Sequence, residues 1–230
     1  MANLIIPHIL GPADSVELRY CLRSVEANLH DGEHRLVLAG QCPPWLKPDE
    51  FVPVEMDPKN AKVASIRNGV RAACEVLADE QSALYLDDDY YLLEPAEDVL
   101  PLYWGNLADH AQRMQRRHGR DFWLAKAHAA TLLYLHPTES LSWELHRPLP
   151  LEPAQALDIL PDGDAPFLWR SLYGNLADHY RQTYQAYDGK VETVRPPMGS
   201  TWLSSSWGQW RVLLKVLRTR FTEPARWEMM

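Results

Sequence analysis

Short apolar runs alternate with two amphipathic stretches over the first 86 residues, and this alternation constrains the fold more than any other feature of the chain. Asn3 to Leu10 is apolar and closes at Gly11-Pro12, which reads as a strand ended by a turn. Asp14 or Ser15 can then cap a helix carrying Leu18, Leu22, Val25 and Leu29 on one face. A second strand follows over His34 to Gly40, and a short third one over Phe51 to Val54. Lys59 to Leu77 has helical periodicity through Val63, Ile66, Val70, Ala73 and Leu77, and Ser82 to Leu86 is a compact buried strand. Strand–helix–strand–helix–strand order predicts an α/β fold with a mostly parallel central sheet flanked by helices.

The remainder is expected to complete one domain, because no linker or low-complexity segment interrupts it. Residues 97–118 read as a helix ending in Arg113, Arg116, Arg117 and Arg120, and Trp123 to Leu135 as one or two strands. Ser142 to Leu149 alternates like a strand, and Pro153 to Leu160 and Pro166 to Tyr187 read as helices. Residues 195–207 read as a loop and Gly208 to Phe221 as a basic amphipathic helix. The hexapeptide GNLADH occurs at 105–110 and again at 174–179, with divergent flanks, so it predicts no duplicated unit.

Composition narrows the class. The 230 residues, 46% hydrophobic and 23% charged, suffice for one sizeable core and exclude a disordered, collagenous or coiled-coil chain. No apolar run reaches the roughly 18 residues of a membrane span. The opening MANLIIPHILGP lacks the basic region and cleavage site of a signal peptide. Cys21, Cys42 and Cys74 form no CxxC pair. A reduced, cytoplasmic protein with no membrane partner is expected.

The net charge of −8 is unevenly spread. Residues 75–98 contain nine acids and no Lys or Arg, whereas the chain from Arg195 onward has six bases and two acids. The centre of the acidic run is Asp87-Asp88-Asp89, directly after a buried strand. Three like charges there repel strongly, and a divalent cation would remove that repulsion. Mg²⁺ or Mn²⁺ takes one or two carboxylates, with water and substrate phosphate completing its shell. In open α/β sheets, ligands bind outside the carboxyl ends of the strands. A carboxylate-rich turn with helix caps is the competing reading.

A strand-terminal Asp-x-Asp after a nucleotide-binding-like start resembles the GT-A glycosyltransferases, the nucleotide-diphospho-sugar transferase fold. VELRYCLRSVEANL (16–29), LVLAGQCPPWL (36–46), ALYLDDDYYLLEP (83–95), WELHRPLPL (143–151) and FLWRSLYGN (167–175) resemble, in order, blocks of the Stealth-type sugar-phosphate transferases and the related glycosyltransferase-like proteins of tailed bacteriophages. The first strand is not followed by the Trp-Val-Asp-Gly of full Stealth proteins, which favours the phage-type group. The resemblance implies a single GT-A-like domain, with residues 1–95 binding nucleotide sugar and 96–230 facing the acceptor.

The implied cofactors are Mn²⁺ or Mg²⁺ and a nucleoside diphosphate sugar, a UDP-sugar first. The metal ligands would be Asp87, Asp89 and His146, with Asp88 competing. Glu144, His146 and Asp87 would be catalytic, a carboxylate and an imidazole side by side being able to act as base. Arg19, Lys62, Asn68, Arg71, Asp87 and Arg170 would bind the donor, Arg170 through its phosphate. The alternative for Arg170 is a structural ion pair, and for His146 an ordinary hydrogen-bonded histidine. Ser24 lies in the first block, and Trp202, Trp207 and Trp210 are either stacking groups or core. The implied acceptor is a hydroxyl, in phage-like relatives a 5-hydroxymethylpyrimidine in DNA, with Arg113 to Arg120, Arg218 and Arg220 as phosphate contacts. A sugar-1-phosphate transferase acting on a glycan and a non-catalytic nucleotide- or carbohydrate-binding module are the rival functions.

Overall fold

The computed structural model describes residues 2–9, 15–29, 33–55, 62–96, 99–119, 124–136, 138–177, 184–185, 202–204 and 210–229. Strand β1 (Ala2–His8) leads to helix α1 (Val16–Asn28), β2 (His34–Gly40), β3 (Glu50–Pro53), helix α2 (Lys62–Val76), β4 (Ala83–Tyr85) and β5 (Tyr90–Leu92). Next come β6 (Leu102–Tyr103), β7 (Gly105–Asn106), α3 (Leu107–His118), α4 (Ala125–Tyr134), β8 (Leu141–Ser142) and β9 (Leu149–Leu151). Helices α5 (Pro153–Ile159) and α6 (Trp169–Leu176), strands β10 (Tyr184–Gln185) and β11 (Trp202–Ser204), and α7 (Trp210–Arg220) follow. No helix among the described residues is long and apolar enough to cross a membrane.

The main sheet has the order β3-β2-β1-β4-β9, with the first four strands parallel and β9 antiparallel at the edge. Alternate residues of the central strands serve opposite faces. Leu4, Ile6, Leu36, Leu38, Leu84 and Leu86 pack with Leu18, Leu22 and Val25 of α1. Ile5, Val37, Ala39, Ala83 and Tyr85 pack with Val70 and Ala73 of α2 and with Ala156, Trp169 and Tyr173 of α5 and α6. Both faces are covered, which is why these strands read as continuous apolar runs. Cys21, Cys42 and Cys74 are unbridged, and burial pushes the Cys74 thiol up to about 12, so it behaves as a small apolar side chain.

Several expected elements take a different form. Residues 125–134 are a helix rather than strands, since AKAHAATLLY is rich in strong helix formers and buries Ala127, His128 and Thr131 at helical spacing. The Ser142–Leu149 run is not one strand. Leu145 N donates to Trp143 O and Arg147 N to Leu145 O, so the chain turns between β8 and β9. Only Trp169–Leu176 of the expected 166–187 helix is helical among the described residues, and Tyr184–Gln185 is a strand. Two short strands, β6 and β7, precede α3 where a helix from 97 was expected, and Trp202–Ser204 pairs with β5 where a loop was expected. Asp14, Arg120, Trp123, Arg195 and Trp207 lie outside the described residues, as do the side chains of Trp202 and Trp210.

The two GNLADH copies have unlike roles. Asn106 caps the start of α3 by accepting from Ala108 N, whereas Gly174 and Asn175 end α6, and the Asn175 amide bonds Leu141. A Cβ at Gly174 would come within 2.3 Å of the Trp143 ring. Gly174→Ala is expected to destabilise the fold by about 2 kcal/mol through overpacking, read as a lower urea midpoint at unchanged slope.

The segment after α7 straps α1 to the turn after β2. Glu228 accepts from Arg23 Nε at 2.6 Å and Nη2 at 2.8 Å, and Trp227 Nε1 donates to Asp49 at 2.8 Å. Burial opposes the Glu228 charge, but the Arg23 hydrogen bonds and the Ala225 N–H outweigh it, holding the carboxyl below its ordinary 4.5. A lowered folded value stabilises the protein above pH 4.5, and the gain is lost as pH falls through that lowered value. The Tm advantage of the native chain over Glu228→Gln should therefore shrink between about pH 6 and about pH 3, as thermal melts at each pH will show.

Candidate functional site at the carboxyl ends of the central strands

The sheet order reverses at β1. From there the chain steps out to β2 and β3 on one side and returns to β4 on the other. In open α/β sheets, ligands bind outside the carboxyl ends of the strands at such a reversal, here the ends of β1 and β4. The residues that arrive there are His8, the last of β1, and Asp87-Asp88-Asp89, just past β4. Tyr90 N donates to Asp87 O at 3.2 Å, so the acids form a tight turn into β5.

Each aspartate is held by a different element. Asp87 Oδ1 accepts from the Tyr85 hydroxyl, and its Oδ2 lies 3.9 Å from Arg170 Nη1 on α6. Asp88 Oδ2 lies 2.6 Å from His8 Nδ1. Asp89 Oδ2 accepts from Ser204 Oγ of β11 at 2.8 Å. All three acids remain half-buried and so reachable from solvent. The fold thus supplies part of the countercharge and hydrogen bonding that three adjacent carboxylates require.

Arg170 is the buried hub behind the turn. It is 5% exposed, donates to the Tyr90 hydroxyl at 2.6 Å and to Arg147 O, and stacks 5.4 Å from the Tyr85 ring centre. Burial pushes the Tyr85 and Tyr90 phenols up, and the charge of Asp87 adds to this, so both stay protonated as donors. Burial works against the Arg170 charge, yet the hydrogen bond accepted by Tyr90 and the negative charges of Asp87 and Glu144 favour it, and the net direction is up. Arg170 is thus a fixed internal cation behind Asp87, and the ion-pair alternative describes its setting.

The other expected residues are dispersed. Glu144 accepts from Ser171 N at 3.1 Å and Ser171 Oγ at 2.8 Å, placing a carboxylate at the positive end of α6. His146 is half-buried between Leu145, whose carbonyl accepts from Tyr90, and Arg147, whose carbonyl accepts from Arg170. Glu144 and His146 sit in a turning segment, not on one strand face. Arg71 donates to Leu157 O and Leu160 O at 2.7 and 2.8 Å and pairs with Asp162, so it anchors the end of α5. Asn68 accepts from the buried Arg67, and Lys62 opens α2 on the surface. Arg19 stacks on Trp45 at 4.4 Å and lies 3.5 Å from Glu228, in the strap. Ser24 is buried, donating to Cys21 O and accepting from Leu92 N.

Sequence reasoning missed His8, Ser15, Tyr85, Tyr90 and Ser204. His8 carried a signal, being a lone polar residue at the carboxyl end of an apolar strand. The others became visible only through contacts distant in sequence. Among the described residues no group of three His, Cys, Asp or Glu side chains forms a metal cage. The half-exposed turn fits a hard cation held by one or two carboxylates and completed by substrate oxygens, but not a cation enclosed by protein alone.

No family model matches the chain, and no curated protein sequence matches it. Among solved structures it is similar to mouse xyloside xylosyltransferase 1 in its apo form, at 9% identity and a TM-score of 0.40, over 96% of this chain and 93% of that one.

Replacing Arg170 by Gln leaves Asp87 without its internal cation and the Tyr90 hydroxyl without its donor. This substitution is expected to lower unfolding free energy by about 3 kcal/mol, measured by urea denaturation. Tyr85→Phe should lower it by about 1 kcal/mol, because only one hydrogen bond is lost.

Proposed function

We propose that the chain is a metal-dependent glycosyltransferase of the GT-A type, moving a sugar from a nucleoside diphosphate sugar, a UDP-sugar first, to an acceptor hydroxyl. The observation that carries this reading is the half-exposed acid turn at the point where the sheet order reverses. Asp87 and Asp89 would hold Mn²⁺ or Mg²⁺ together with the donor phosphates. When bound, the ion supplies positive charge against the departing diphosphate.

The rest of the work falls to the chain's own residues. Arg170 and Tyr85 hold Asp87 from behind, and Ser204 holds Asp89 from β11, so the carboxylates are aimed before substrate arrives. His146 is the base in this reading. Its imidazole takes the proton of the acceptor hydroxyl as that oxygen bonds the anomeric carbon and the bond to the diphosphate breaks. Glu144 orients this segment through Ser171. The acceptor proposed is a 5-hydroxymethylpyrimidine in DNA, for which the exposed Arg113, Arg116 and Arg117 of α3 offer phosphate contacts.

Calorimetric titration with UDP, with and without Mn²⁺, tests the donor site. Binding should strengthen by about tenfold or more with the metal, and Asp87→Ala or Asp89→Ala should remove that gain. Metal-independent binding, or full activity of these variants, would overturn the reading. Transfer to hydroxymethylated DNA, read by nucleoside mass spectrometry, tests the acceptor. A product mass that retains a phosphate would instead indicate sugar-1-phosphate transfer.

A further inference from the structure

His8 joins two parts of the chain that the proposed chemistry does not otherwise connect. Its ring is 2% exposed, with Nδ1 at 2.6 Å from Asp88 Oδ2 and Nε2 at 2.8 Å from Ser15 Oγ. A carboxylate only accepts, so Nδ1–H donates to Asp88, and in the neutral ring Nε2 accepts from the Ser15 hydroxyl. The result is a continuous chain Asp88–His8–Ser15 from the acid turn to the start of α1.

Ser15 shows that this chain is favoured over local preferences. Serine at a helix start ordinarily accepts from the first-turn N–H groups, but here its side chain makes no cap bond. Its backbone is left-handed, at φ 53°, and it is the one non-glycine residue with positive φ among the described residues. Both features accompany an Oγ turned to His8. The three acids have separate partners. Asp88 is drawn toward β1, Asp87 toward Arg170 and Tyr85, and Asp89 toward Ser204.

We infer that His8 is a positioning residue that selects which carboxylates of the triplet face the ligand. By tying Asp88 to Ser15 it engages an oxygen of the middle acid in the protein and leaves Asp87 and Asp89 as the pair for metal and diphosphate. This inference rests on the nucleotide-sugar reading above for its ligand, but not for its geometry. Asp88 is then an internal anchor, and the turn is rigid before the donor binds.

Two isosteric replacements separate the bonds of the ring. The amide nitrogen of Asn falls near Nδ1 and that of Gln near Nε2. His8→Asn therefore keeps the Asp88 bond, and His8→Gln keeps the Ser15 bond. Binding of UDP with Mn²⁺ should weaken by about tenfold in His8→Gln and stay within about threefold of the native value in His8→Asn. Asp88→Ala should match His8→Gln, and the double variant should be no weaker than either, because both changes cut the same link. Hydrogen exchange at the Tyr90 amide, which closes the turn onto Asp87 O, should accelerate in His8→Gln and not in His8→Asn. Thermal melts of each variant show whether the fold is retained. Equal binding and equal exchange in the two His8 variants, or additive losses with Asp88→Ala, would overturn the inference. If the native chain binds no nucleoside diphosphate, the functional reading fails, and the exchange comparison alone decides the role of His8.

Discussion

Repulsion among three successive carboxylates at the end of a buried strand is the constraint on which the rest of the site depends. In a partly desolvated crevice such charges interact far more strongly than in water. The protein answers by separating them. Asp87 is backed by a buried guanidinium, Asp88 by a buried imidazole and Asp89 by a hydroxyl from a strand paired with β5. These partners come from residues 170, 8 and 204, so distant segments must close on the turn before it is satisfied. The acidic turn is thus an organiser of the tertiary structure as well as a candidate ligand site.

Arg170 carries the largest share of this task. A buried guanidinium is unfavourable unless its charge and donors are met. Tyr90 and the Arg147 carbonyl accept from its two terminal nitrogens and Asp87 supplies nearby countercharge, while its buried Nε has no hydrogen-bond partner among the described residues; the raised phenol values of Tyr85 and Tyr90 keep those hydroxyls protonated. Helix α6 is held in turn by Glu144 at its first turn and by packing of Trp169 and Tyr173 in the core. The consequence for function is preorganisation. Side chains locked by packing and hydrogen bonds would not need to reorganise for the ligand proposed above.

The parts legible in the sequence were those governed by local pattern. The parallel strands, α1 and α2 follow from apolar periodicity, and the acid turn stands out because three successive acids directly follow a buried strand. The failures have physical causes. AKAHAATLLY has little polar contrast, so its helix was concealed among apolar residues that also suit strands. The two-residue strands β6, β7, β8 and β10 are too short to show any periodicity. Arg71 and Arg170, alike as isolated cations, differ because one meets the carbonyls at the end of α5 and the other lies beneath Asp87.

The sequence alone determined the class of fold and the place where negative charge collects, since each depends on neighbours within a few residues. Only the tertiary structure decided the sheet order, the reversal at β1 and the partner of each aspartate. Those choices rest on contacts between residues as far apart as His8 and Asp88 or Asp89 and Ser204, and the one-dimensional pattern carries no term for such contacts. A hydrogen bond or ion pair forms where packing brings the groups within reach, and packing is a property of the whole chain.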